Sequence, residues 1–153
     1  MKKLFMLLSA VCVLITACQF ETSTSSGISV EDSELARITE SEILTSSDGV
    51  FSRGEDIHLI LHNVGKFKEG EDGLNWFDMD LEVLDADGNA LFSQTGMLGD
   101  NGHLKLDNGM ASSPYATFSP NETMEPGNYK MKVSIYDKVG KGKATVTKTF
   151  TLE

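Results

Sequence analysis

Two histidines, a run of carboxylates and two cysteines are the residues of this 153-residue sequence whose types and spacing could support chemistry. His58 and His62 are four residues apart, a spacing that on a helix would place both side chains on one face, where they could bind zinc. The apolar residues around them indicate a β-strand instead, in which four residues span about 13 Å. Because zinc needs three or four convergent ligands and the third histidine, His103, lies in a loop region, we expect no shared metal site.

The carboxylates are concentrated in residues 69–87, which hold eight acidic residues and no basic one. Calcium takes clustered carboxylate and carbonyl ligands, so this stretch could form a calcium site. Residues 85–89 match a fragment of a calcium loop but lack the distal glutamate and the full spacing. The remaining candidate ligands are Glu69, Glu71 and Asp72.

An alternative explains most of these acids without a metal. Asp78, Asp80 and Glu82 alternate with apolar residues and would form the polar face of a strand. If the strand that carries Lys130 and Lys132 lies beside it, as the family resemblance described below implies, these lysines would pair with the acids, each pair contributing at most about 1 kcal/mol. We favour this arrangement, and calcium is the secondary prediction.

Both cysteines, Cys12 and Cys18, lie within the first 18 residues. The rest of the chain therefore cannot form a disulfide, a cysteine metal site or a catalytic thiol. It contains no Gly-x-Ser-x-Gly motif and no complete phosphate-binding loop, so we expect neither enzyme activity nor a cofactor. A formal net charge of −10 argues against nucleic acid as a partner, since phosphate backbones attract basic surfaces.

The first 18 residues have the three parts of a secretion signal. Lys2 and Lys3 form a basic start, residues 4–15 form an apolar stretch, and Ile-Thr-Ala-Cys ends at Cys18. The apolar stretch is short for a bilayer span, which needs about 20 residues. The ending resembles the lipobox of bacterial lipoproteins, in which an aliphatic residue, a small residue and Ala or Gly precede the cysteine.

That resemblance implies a membrane anchor. In bacterial lipoproteins the cysteine thiol receives a diacylglycerol, the signal is removed just before it, and the new amino terminus is acylated. Residues 1–17 would then be a signal peptide, Cys18 would carry the lipid, and a membrane would be one partner. Gln19, in place of an aspartate, implies sorting to the outer membrane of a Gram-negative bacterium, on its periplasmic face or at the cell surface. The alternatives are an ordinary signal peptide with an incidental cysteine and an uncleaved transmembrane helix.

Residues 18–34 are predicted to be a flexible tether. The segment 22–29 has seven Ser, Thr or Gly residues out of eight and lacks the apolar content needed to pack. The folded part is then expected to extend over residues 35–153, a length that suits one domain.

Short apolar runs separated by Gly, Asp, Asn and Pro make up this predicted domain, which is the pattern of an all-β sandwich. Residues 76–85 alternate between apolar and mostly acidic side chains, and a hairpin turn is predicted at residues 86–89. The most regular strands are predicted at 128–137 and 144–153, near the C-terminus. We expect seven or eight antiparallel strands.

Tyr129 relates this pattern to a known architecture. The turn at 126–128 leads into a strand that resembles strand F of immunoglobulin-like and fibronectin-type domains, in which a tyrosine near the strand start forms the tyrosine corner. The resemblance implies an immunoglobulin-like β-sandwich, with Trp76 near the place of the core tryptophan. Met131 stands where immunoglobulin domains have a disulfide cysteine, so no disulfide is expected.

Residues 96–115 form the least regular segment and are the candidate binding loop, because loops on a sandwich often carry binding residues. Met97, Leu98 and Met110 either pack this loop or form a contact surface, and we favour packing. These features predict a lipid-anchored envelope lipoprotein with a non-catalytic domain that binds protein or glycan. A calcium-binding module that uses the acidic loop 69–72 is the alternative hypothesis, and an enzyme is the hypothesis with the least support.

Overall fold

The computed structural model describes residues 21–153, so Cys18 and the predicted signal lie outside the described residues. Within this range the chain forms eleven β-strands and two short 3₁₀ turns, at Gly99–Gly102 and Asp107–Gly109. In chain order the strands are β1 (Glu21–Ser26), β2 (Asp32–Ile38), β3 (Ile43–Thr45), β4 (Val50–Phe51), β5 (Ile57–His62), β6 (Asn75–Leu84), β7 (Ala90–Gln94), β8 (His103–Leu104), β9 (Tyr115–Phe118), β10 (Gly127–Asp137) and β11 (Lys143–Leu152).

The strands form two sheets that pack face to face. The first sheet has the order β1-β11-β10-β6-β7, with β4 pairing in parallel with β11 and β8 pairing with β6. The second sheet has the order β3-β2-β5-β9, and all its pairings are antiparallel. Residues 21–153 therefore form an all-β sandwich of two sheets without a disulfide, which confirms the predicted fold class. The strands number eleven rather than the seven or eight expected, and the pair β4–β11 is parallel.

β6 and β10 are neighbouring inner strands of the first sheet, and the alternation of apolar and polar residues gives each of them one buried face. In β6, Met79, Leu81 and Val83 are fully buried, and each is paired across to an apolar residue of β10. Each such side chain contributes roughly 1.5–3 kcal/mol relative to an exposed position. The predicted turn between β6 and β7 is also confirmed, since the N–H of Asp85 donates to the carbonyl oxygen of Asn89 at 3.0 Å.

The outward face of β6 agrees with the sequence only in part. Glu82 pairs with Lys132 at 2.6 Å, as the cross-strand arrangement predicts. Asp80 instead accepts a hydrogen bond from the Tyr136 hydroxyl at 2.7 Å. Asp78 is buried and pairs with Lys138 at 3.0 Å, a residue beyond the predicted row of lysines.

Tyr129 has the geometry that the sequence predicts. Its hydroxyl donates to the carbonyl oxygen of Glu125, four residues upstream, at 2.6 Å, which is the tyrosine-corner arrangement. Its ring stacks on Phe150 with 5.6 Å between centroids. Met131 is fully buried and faces Val83, so side-chain packing fills the place of the absent disulfide.

The N-terminal segment differs from the predicted tether. β1 pairs with β11 from Glu21 opposite Lys148 to Ser26 opposite Lys143, and β2 begins at residue 32 with Ser33 buried. All six β1 side chains are exposed, so the strand is held mainly by backbone pairing and needs no apolar residues. Residues 21–26 and 32–34 therefore belong to the sheets, and the expectation of a flexible tether does not hold for them.

Trp76 does not occupy the core position that the immunoglobulin resemblance implies. Its side chain is 39% exposed rather than part of the core, because it shares the outward parity of Asp78 while Phe77 points inward. The indole ring lies 5.3 Å from the His103 ring and 5.1 Å from the Lys138 ammonium. The tryptophan thus covers the edge of the sheet near β8.

Candidate functional site

An open cleft of about 710 Å³ lies on the side where β7 and β9 end the two sheets. Its lining is predominantly apolar and comes from β6, β7, β9 and the segment between β7 and β9. A second depression of about 430 Å³ continues it along the same side and shares Gln94 and Thr117 with it. We call the two together the edge groove.

Exposed apolar side chains are concentrated at this groove. Among residues 21–153, eight large apolar side chains are exposed, and four of them line it: Leu91, Phe92, Leu104 and Tyr115. Leu91 is 53% exposed and Tyr115 is 52% exposed. A clustered apolar surface of this kind is typical of a contact site.

The groove forms because the second sheet ends earlier than the first on this side of the sandwich. β9 packs over β6, and β2 packs over β11, so the second sheet ends one strand before β7 does. Phe92 of β7 points toward the sandwich interior and reaches Phe118 of β9 at 5.7 Å between ring centroids. The segment that follows β7, rather than another strand, lines the open space beside β9 and below β7.

Two acids of β6 hold that segment in place. The Asp80 carboxylate accepts from the N–H of Gly96 at 2.9 Å, and the Asp78 carboxylate accepts from the N–H of Leu98 at 3.0 Å. The N–H of Met97 donates to the carbonyl oxygen of Met79 at 2.9 Å. These bonds bring Met97 and Leu98 to the groove, where both pack against the core, as the sequence predicts.

Asp78 is charged in this position. Burial raises the pKa of its carboxyl group, but the N–H of Leu98 and the ammonium of Lys138 outweigh that effect, and the pKa lies below its ordinary value. A negative charge therefore remains available to hold the backbone at the groove. The sequence shows the acid on a polar strand face but not the loop that folds onto it.

The predicted calcium ligands do not converge. Glu69 pairs with Lys105, Asp72 pairs with His103 at 2.8 Å, and Glu71 is exposed. No group of three or more His, Cys, Asp and Glu side chains within residues 21–153 could hold a metal ion. Glu69 and Asp72 instead contact the side chains of Lys105 and His103, which the spacing in the sequence does not reveal.

The histidines are also separate. His58 lies on β5, is buried, and forms a hydrogen bond through Nδ1 with the Thr117 hydroxyl at 2.9 Å. His62, on the same strand, pairs with Glu34 at 3.0 Å. The prediction of a strand is confirmed, and His58 supports β9 from the outer face of the second sheet.

The residues that sequence reasoning missed are the exposed apolar residues of the two edge strands. β7 reads Ala-Leu-Phe-Ser-Gln and β9 reads Tyr-Ala-Thr-Phe, without a charge or a proline in either. Edge strands usually carry such residues, so their absence is a signal once the edges are known. Cys18, the predicted lipidation site, lies outside the described residues. Within residues 21–153 no helix is long and apolar enough to cross a membrane.

Comparisons with known proteins give structural likenesses alone. No protein-family model matches the chain, and no curated protein matches it. The C-terminal domain of wzt superposes with a TM-score of 0.54 at 9% identity, covering 90% of this chain and 79% of that one. A Niemann-Pick type C2 protein from the Japanese carpenter ant gives a TM-score of 0.54 at 9% identity, covering 85% of this chain and 96% of that one. At this identity the likenesses show the β-sandwich fold and no function.

Proposed function

We propose that this chain is a lipid-anchored, non-catalytic binding module of the bacterial outer membrane, which binds a partner in the edge groove. The observation that carries the binding function is the groove itself, an apolar concavity bordered by exposed apolar side chains. The lipobox-like ending at Cys18 supports the anchor. A protein that binds at an envelope surface needs both features.

The chemistry of the groove favours a protein over a glycan as the partner. Its floor is formed by side chains such as Met79, Leu98 and Leu106, whereas sugars present mainly hydroxyl groups that need polar partners. The polar groups that line it, such as Gln94, Asn101 and Ser112, carry no charge. An apolar floor with uncharged polar groups is typical of protein contacts.

The position of the groove is compatible with the proposed anchor. β1 lies at one edge of the first sheet and β7 at the other, four strand spacings or about 19 Å away. Only residues 18–20 lie between the proposed lipid and β1, and three residues span at most about 11 Å. The chain that joins the lipid to the domain therefore starts from the edge opposite the groove and leaves the groove accessible.

Site-specific crosslinking in cells tests the binding function. A photoreactive amino acid at Leu104, in the groove, should give a discrete crosslinked adduct with an envelope protein. The matched control is Thr24, an exposed position of β1 on the opposite edge, which should give none. Equal adducts at both positions, or none at Leu104, would contradict the assignment of the groove as the binding site.

A further inference from the structure

We propose that the edge groove takes its partner as an added β-strand: an extended, net basic segment of another protein pairs with the free edge of β9 and buries alternate apolar side chains in the groove. This inference rests on the proposed binding function and adds the form and chemistry of the partner. Strand addition of this kind combines backbone hydrogen bonds with side-chain pockets.

The pairing of β9 with β5 leaves one backbone edge free. The N–H of Leu61 donates to the carbonyl oxygen of Pro114, and β9 continues the same antiparallel register. Because hydrogen-bonded pairs alternate in such a ladder, Ala116 and Phe118 direct their backbone groups toward β5. Tyr115 and Thr117 direct theirs away from the sheet, and both residues line the groove. The groove therefore presents donors and acceptors at strand spacing.

β9 is also less protected than the edges on the other side of the sandwich. β1 is polar along its whole length and begins with a glutamate, and β3 has only three residues. Charge, polarity and shortness are common ways to prevent pairing with another chain. β9 has no charge and no proline, and its first residue, Tyr115, is 52% exposed.

The space beside β9 fits one more strand. Neighbouring strands lie about 4.8 Å apart, so a strand added to β9 would lie opposite β7, where the second sheet ends early. Its inward side chains would meet Phe92, Met97 and Leu98. β7 also has a free edge, but a strand added there would extend the first sheet outward and leave the groove unfilled. The geometry thus favours β9.

Charge favours a basic partner over a second copy of this chain. The formal net charge is −10, so two copies would repel each other. Asp100 and Asp107 are exposed beside the lining residues Asn101 and Leu106. The neighbouring Lys105 is paired with Glu69, so the rim of the groove is acidic. A segment that carries Lys or Arg between its apolar residues complements this rim.

Selection from a peptide library provides the probe. The full chain, purified in detergent and immobilised, is exposed to phage-displayed random peptides of about 12 residues, long enough for a typical strand. Enriched sequences should alternate apolar residues with polar ones, carry net positive charge and lack proline in the alternating part. Failure to enrich any sequence, or enrichment without alternation or with net negative charge, would overturn the proposal.

Variants then locate the pairing edge with a synthetic copy of the enriched peptide. Thr117→Pro removes a free-edge N–H and should weaken binding about tenfold or more. Thr117→Val keeps that N–H while removing the hydroxyl bonded to His58, so it measures the contribution of the side chain, and Thr117→Pro should bind more weakly than this variant. Ser93→Pro makes the same backbone change on β7 and should bind as the unmodified chain does. Equal affinity for Thr117→Pro, or a loss with Ser93→Pro instead, would overturn pairing at β9.

Two measurements do not depend on how the proline variant folds. Peptide binding should slow hydrogen exchange of the Thr117 amide. N-methylation of every second peptide amide should abolish binding for one of the two alternating sets, the set whose N–H groups point to β9, and should leave binding intact for the other set.

Sedimentation of the chain without peptide should show a monomer. A dimer that Thr117→Pro dissociates would assign the edge to a second copy and overturn the proposal. If Leu104 still gives a crosslinked adduct when pairing at β9 fails, the groove binds its partner in another way, and the binding function stands.

Discussion

Asp78 and Asp80 illustrate how a polar strand face can be structural. Both alternate with buried residues of β6, as solvent-facing acids do, yet they hold the backbone N–H groups of Leu98 and Gly96. A buried N–H needs a partner, and a carboxylate is a strong acceptor. These two acids therefore position the wall of the groove.

His58 should make the stability of the protein sensitive to mild acid. Its burial lowers the pKa of the imidazole, although the Asp56 carboxylate acts weakly in the other direction. As the pH falls, the imidazole of His58 is therefore protonated in the unfolded state before it is protonated in the folded state. The free energy of unfolding should then decrease below about pH 6.5, by at most about 1.4 kcal/mol per pH unit. Urea unfolding at about pH 7.5 and about pH 5.5 measures this loss.

A His58→Gln variant supplies the control for that prediction. Glutamine cannot titrate in this range, so the loss of stability between the two pH values should be smaller in the variant than in the unmodified chain. The same pH dependence in both proteins would show that other groups cause it. The contacts of His62 with Glu34 and of His103 with Asp72 are the same in both proteins, so they do not affect the comparison.

At the scale of elements, β1 shows how a segment of low apolar content can still be ordered. Its backbone pairs along β11, and Glu21 joins the Lys148 ammonium at 2.6 Å. Lys148 has the inward parity of Val146 and Phe150, and its side chain is only 8% exposed. The Ser33 hydroxyl donates to the same carboxylate at 2.6 Å, so one glutamate connects three strands.

Removal of the glutamate charge should destabilise the sandwich. Glu21→Gln leaves the buried Lys148 ammonium without a counter-charge, and we expect a loss of about 1–2 kcal/mol in the free energy of unfolding, limited by solvent at Glu21. Lys148→Met places an apolar side chain in an apolar strand face and should be neutral or stabilising. Urea unfolding of both variants measures the difference.

A glutamate outside this contact controls for the change of net charge. Glu40 is exposed in the turn between β2 and β3, and Glu40→Gln should change stability by less than about 0.5 kcal/mol. A loss for Glu21→Gln no larger than that for Glu40→Gln would show that β1 does not depend on the Lys148 contact.

At the scale of the whole molecule, the proposed anchor and the groove lie at opposite edges of the first sheet. Much of the segment expected to be a tether is part of the sheets, so only two residues, Gln19 and Phe20, lie between Cys18 and β1. We therefore expect the domain to lie close to the membrane surface, with the groove directed away from the point of attachment.

Loss of the lipid should release the protein. Cys18→Ser removes the thiol that would receive diacylglycerol, and because each buried methylene group contributes about 0.8 kcal/mol, no membrane affinity of comparable size remains. Fractionation of cells should then find the variant outside the membrane pellet. Cys12→Ser is the matched control and should stay with the membrane. A Cys18→Ser protein that remains membrane-bound at the level of the control would contradict the anchor.

Features that depend on neighbours in the sequence could be predicted without the structure. Alternation in β6 and β10 follows from the two-residue period of a strand, and the turn before β7 follows from Asp-Gly at 87–88. Tyr129 bonds a carbonyl group only four residues upstream. The lipobox-like ending at Cys18 is likewise local, and it remains a prediction.

Only the tertiary structure decided which strands end the sheets, and that decides where the groove lies. Glu21 and Lys148 are 127 residues apart, and Asp78 and Leu98 are 20 apart, so no local period links them. Trp76 is exposed, and Glu69 and Asp72 contact Lys105 and His103, for the same reason, since the partner of each side chain comes from a distant segment. A period in the sequence determines which way a side chain points, whereas the fold determines what it meets there.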